Sequence, residues 1–139
     1  MMKGLAVFEA HVSYVLDLCF TRNSETLISA GMDNRVKLWS VPDWQLVHTI
    51  EGHANSVNSM SLSPDGQRLV TGSTDQTVRV WSFPDGGLLH TLQDRKKTVA
   101  SVQISPGGEW VVAGSYGGRA KVWTLDGKDV VGIKASKKN

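Results

Sequence analysis

The chain has 139 residues, 40% of them hydrophobic and 20% charged. That is enough apolar material for one packed core and too much for a disordered segment. Its 15 Lys and Arg against 13 Asp and Glu leave a net charge of +2, which excludes a whole-domain field drawing the chain onto nucleic acid or a membrane surface. Any charge-based recognition is local.

The first apolar run, Leu5 to Phe8, is too short for a signal segment or a membrane span. The single cysteine, Cys19, forms no internal disulfide. Both features lead us to expect a cytoplasmic protein. From His11 onward the chain repeats every 42 residues, most plainly at Trp39, Trp81 and Trp123. The same shift aligns Val15, Val57 and Val99; Phe20, Leu62 and Ile104; Leu27, Leu69 and Val111; and Leu46, Leu88 and Val130. We read a single domain, 1–139, holding three units at about 11–52, 53–94 and 95–136.

Each unit predicts four short strands, because apolar residues alternate over runs of five to seven and turn residues punctuate them. In the middle unit the runs are Ser56 to Leu62, Gln67 to Gly72, Thr77 to Ser82 and Gly87 to Leu92. Ser63-Pro64-Asp65-Gly66 and Ser105-Pro106-Gly107-Gly108 supply the fixed proline φ and the glycine freedom that close a hairpin. Phe83-Pro84-Asp85-Gly86-Gly87 closes the next. The expected fold is all-β, each unit an antiparallel meander whose apolar faces need neighbours. Before the first unit, Lys3 to Glu9 aligns with the fourth run of a unit, Gln45 to Glu51, so the chain opens with an extra outer strand that lacks its three inner partners. Lys128 to Lys134 also aligns there. The third unit therefore has two candidates for one place, and Leu5, Ala6, Val7 and Phe8 are the more apolar set.

Gly52-His53, Asp75 and Trp81, with His11, Asp33 and Trp39 one period earlier, resemble the motif of the WD-repeat family of β-propellers over nearly the whole chain. The resemblance implies three four-stranded blades. It also implies a structural hydrogen-bonded tetrad in each of the first two, formed by His11, Ser29, Asp33 and Trp39, and by His53, Thr71, Asp75 and Trp81. Trp is followed by Ser or Thr in all three units, a variation that leaves the fold reading unchanged. In the third unit Arg95 replaces the His, Ala113 the hydroxyl and Gly117 the Asp, so no such tetrad is expected there.

Three blades fall short of the roughly four to eight that close a propeller. Either the chain is part of a longer propeller, its function completed elsewhere, or copies assemble, two giving a six-bladed ring. His48 and His90 are also one period apart, and repetition argues for architecture, since a catalytic or metal site needs unlike residues converging on one point. The sequence carries no CxxC, HExxH, P-loop or GxSxG motif. We expect no enzyme, no cofactor and no metal. The Gly-Gly pairs at 86, 107 and 117 form turns. Arg95, Lys96 and Lys97 fall in the loop leading into the third blade, and family geometry brings Arg119 and Tyr116 to the same rim. That cluster suits an acidic segment, a phosphate or nucleic acid, but a solvated loop is the reading that charge runs favour. The basic residues Lys134, Lys137 and Lys138 read as a fraying tail. The resemblance implies an interaction scaffold presenting rim loops to other proteins.

Overall fold

The computed structural model describes residues 4–134; Lys3, Lys137 and Lys138 lie outside them. Every element is a strand. Blade 1 comprises β1 (Val15–Phe20), β2 (Thr26–Gly31), β3 (Val36–Ser40) and β4 (Leu46–Ile50). Blade 2 comprises β5 (Val57–Leu62), β6 (Arg68–Ser73), β7 (Val78–Ser82) and β8 (Leu88–Leu92). Blade 3 comprises β9 (Val99–Ile104), β10 (Trp110–Ser115), β11 (Arg119–Thr124) and β12 (Asp129–Lys134). Each blade is one antiparallel meander in sequence order. The turns close as their chemistry dictates. Asp65 accepts from Ser63 Oγ at 2.6 Å while Arg68 N donates to Ser63 Oγ at 2.9 Å, and Gly66 takes a φ of 72°.

The core lies between blades. Ile28, Ala30, Val36, Leu38 and Ile50 of blade 1 pack with Val57, Met60, Leu69, Trp81 and Phe83 of blade 2. One period on, Val70, Val78, Val80 and Leu92 pack with Val99, Val102, Val111 and Trp123. The two seams therefore use the same positions. Backbone-to-side-chain bonds cross both: Met60 N donates to Asp17 Oδ2 at 2.9 Å, Val102 N to Ser59 Oγ at 3.1 Å and Ile104 N to Ser61 Oγ at 3.0 Å.

Two expectations are corrected. Residues 4–10 join no sheet, because their inner partners are missing and β12 holds the edge of β11. Instead Phe8 lies 4.9 Å from the Trp39 ring and stacks on Trp44 at 6.1 Å. Trp44 adopts φ 58° where blade 2 has Gly86 at φ 78°, a strain of about 1–2 kcal/mol that the aromatic contact offsets. The second correction concerns register. Thr124 N bonds Lys128 O, whereas Ser82 N bonds Gly87 O, so the last turn of blade 3 is one residue shorter than that of blade 2. Asp129 therefore stands opposite Trp123 as Leu88 stands opposite Trp81. The aligned Val130 is displaced from that place. Ile133 is opposite Ala120, the position that Leu92 holds opposite Val78.

Leu69 is fully buried in the first seam. Leu69→Ala should cost about 2–5 kcal/mol in urea unfolding, and a loss below about 0.5 kcal/mol would show that the seam is not packed as described.

Candidate functional site

The polar residues of the repeated motif are tied into the blades. In blade 2, His53 Nδ1 lies 2.7 Å from Asp75 Oδ2, His53 Nε2 2.6 Å from Thr71 Oγ1, and Trp81 Nε1 donates to Thr71 Oγ1 at 2.9 Å. One proton order satisfies the chain: the indole donates to Thr71, the Thr71 hydroxyl donates to Nε2, and Nδ1–H donates to the carboxylate. Asp75 also accepts from Thr77 Oγ1 at 2.6 Å and Ala54 N at 3.0 Å. Blade 1 repeats the set, with His11 Nδ1 2.8 Å from Asp33, Nε2 2.8 Å from Ser29 and Trp39 Nε1 donating to Ser29 at 2.9 Å. No buried side-chain polar atom among the described residues lacks a partner.

Burial disfavours the imidazolium and lowers the pKa of His53, with Asp75 opposing. Burial works against the Asp75 carboxylate too, but hydrogen bonds from Thr77 and His53 outweigh it and hold the group at about 2. Asp33 is lowered by His11 in the same way, again against burial. These groups hold strands together and face one another. They offer no free nucleophile or base.

Blade 3 solves the same place differently. Arg95, Ala113 and Gly117 bring no tetrad. Instead Arg119 Nε donates to Asp94 Oδ2 and Nη2 to Asp94 Oδ1 at 3.2 Å, with Lys121 Nζ 3.9 Å from the same carboxylate. The Arg119 hydrogen bond holds Asp94 below the usual carboxylate range and raises Arg119 in turn. A cavity of about 10 Å³, the space of one water, remains beside Ala113 and Trp123. Asp94 was not among the residues singled out from sequence. Its signal was present: unit three loses the acid at Gly117, and the residue just before the unit is an acid, Asp94, where Ala10 and Gly52 precede units one and two.

The rim is thereby redrawn. Arg119 is neutralised inside the blade, while Arg95, Lys96 and Lys97 are exposed on the loop before β9. Tyr116 N donates to Thr98 O at 3.0 Å, joining the exposed Tyr116 to that loop. No group of three or more His, Cys, Asp or Glu among the described residues could hold a metal. No helix among them is long and apolar enough to cross a membrane.

A three-bladed propeller segment with internal polar networks defines a repeat protein. The chain belongs to the WD40 family, described as WD domain, G-beta repeat, whose pattern matches residues 2–40, 44–82 and 86–124. A comparison with curated proteins found no match. Among solved structures the chain is similar to one titled "Structure of U3-55K", with a TM-score of 0.86 and 22% identity over 91% of this chain. The chain spans 41% of that structure's chain. With 1295 solved chains matching, the likeness shows the fold and specifies no activity.

The tetrad predicts an acid limb in stability. An unfolded histidine takes a proton near pH 6.5 that folded His53 refuses, so stability should begin to fall as pH drops below about 6.5. The Asp75 contribution is complete above about pH 4 and is lost toward pH 2. Urea midpoints measured from pH 8 to 3 should show both losses, and Asp75→Asn should flatten the lower one. In blade 3, Asp94→Asn strips Arg119 and Lys121 of their counterion and should cost about 1–3 kcal/mol by the same measurement.

Proposed function

We propose that the chain is a non-catalytic, cytoplasmic protein-interaction scaffold whose rim binds an acidic segment of another protein. The observation that carries this reading is the division of polar residues. The histidines and aspartates of the two tetrads are consumed by blade-internal bonds, whereas Arg95, Lys96 and Lys97 stand exposed beside Tyr116. Three neighbouring cations and a phenol can bind carboxylates or a phosphate by charge-assisted hydrogen bonds, and the overall charge of +2 leaves that attraction local. Arg119 supports the loop from within through Asp94 and is not a contact residue.

A fluorescent poly-glutamate peptide should bind in low salt and dissociate as ionic strength rises. Lys96→Glu with Lys97→Glu should weaken it about tenfold, equivalent to about 1.4 kcal/mol. Binding unchanged by that reversal, or by salt, would refute the assignment.

A further inference from the structure

Two rim positions recur in every blade, one in the loop entering the inner strand and one in the turn after the second strand. They hold Val12 and Met32 in blade 1, Ala54 and Thr74 in blade 2, and Lys96 and Tyr116 in blade 3. Equivalent backbone bonds set the second position alike in all three: Met32 N donates to Tyr14 O at 2.9 Å, Thr74 N to Ser56 O at 3.0 Å and Tyr116 N to Thr98 O at 3.0 Å. Asn58 ties the rim across the second seam, its Nδ2 donating to Thr74 Oγ1 at 3.0 Å and to Val99 O at 2.9 Å. Along this arc the chemistry changes from end to end. Val12 is 88% and Met32 42% exposed, Ala54 is small, and Lys96 sits between the exposed Arg95 and Lys97 with Tyr116, 63% exposed, beside them. Arg35, the cation nearest Met32 in sequence, is occupied by Glu51 at 3.3 Å, so positive charge on the arc gathers at its blade 3 end.

The apolar end of the arc is not a seam awaiting a neighbour. Tyr14 and Val15 are exposed too, but their counterparts Ser56 and Val57 are buried in blade 2, which is flanked on both sides. The counterparts of Val12 and Met32 behave otherwise, Ala54 staying exposed and Thr74 partly so in that flanked blade. Val12 and Met32 therefore belong to the rim, where no neighbouring blade covers their position. We propose that the partner is an extended segment of another protein read in order along this arc, with an apolar side chain on Val12 and Met32, small residues past Ala54, and carboxylates at Arg95, Lys96 and Lys97. This ligand rests on the acidic-segment reading of the rim and adds its apolar half. Packed sheets lie about 10 Å apart, so the step from blade 1 to blade 3 is about 20 Å, which an extended chain crosses in about six residues. The two ends act by different physics. The carboxylate contacts weaken with salt, whereas covering Val12 and Met32 removes apolar surface from water, and the tether makes the second contact intramolecular once the first has formed.

Fluorescence polarisation on the full chain at low salt should compare poly-glutamate with peptides that carry a leucine pair, a Gly-Ser spacer of about six residues and the same glutamates, made in both polarities. One polarity should bind about tenfold tighter than poly-glutamate. Cutting the spacer to about two residues, too short to cross the arc, should remove the gain. Val12→Ser with Met32→Gln, changes at exposed positions whose folding circular dichroism checks, should bring the leucine peptide down to the poly-glutamate level measured on the same variant. A gain in neither polarity, or one that survives the short spacer or the double variant, would overturn the ordered ligand while poly-glutamate binding left the acidic-segment reading intact. Failure of every peptide, poly-glutamate included, would overturn that reading and the ordered ligand with it.

Discussion

Burial of one sheet against the next is the constraint from which the other features follow. A four-stranded meander with apolar side chains on both faces cannot persist alone in water, because its area gain falls short of the chain entropy it must offset. Here each blade lends one face to each neighbour, so stability resides in seams rather than in blades. Chemically inert positions such as Val36, Val78 and Leu69 are consequently among the most deeply buried. Seam-crossing bonds from backbone N–H groups to Asp17, Ser59 and Ser61 fix the register of one inner strand against the next.

Within a blade, the polar networks answer a different need. The loops entering a blade must be pinned to its strands, and a chain from indole through hydroxyl and imidazole to an ionised carboxylate does this with every donor used. Blade 3 substitutes an ion pair between Asp94 and Arg119. Desolvating two charges makes such a pair a weaker source of stability than its closeness suggests. It does, however, free the preceding loop from the histidine that the other blades require there. The exposed cations at 95 to 97 stand in that released segment.

Much of this was legible in the sequence. The period of 42 residues and the alternation within it placed the middle-unit strands within about a residue of those observed, because register in a two-faced sheet is dictated by which residues must be buried. The outer strand of blade 3 was misaligned by one residue. Only pairing reveals that Leu125-Asp126-Gly127 makes a shorter turn than Phe83-Pro84-Asp85-Gly86. Lys3 to Glu9 read as an outer strand from their alignment with Gln45 to Glu51, yet the edge of β11 is held by β12. Arg119 read as a surface cation because its partner, Asp94, lies 25 residues away in sequence.

Gly72 shows that the units, alike as they are, are not interchangeable parts. A methyl group added there would come within 2.6 Å of Val99 and 2.8 Å of Val102, whereas blade 1 carries Ala30 at that position, fully buried in its own seam. The second joint is thus cut for a smaller tooth than the first. The first seam already holds such a methyl at Ala30, in a cluster with Val57 and Met60, so the spacing of the two joints differs even where the facing residue is a valine in both.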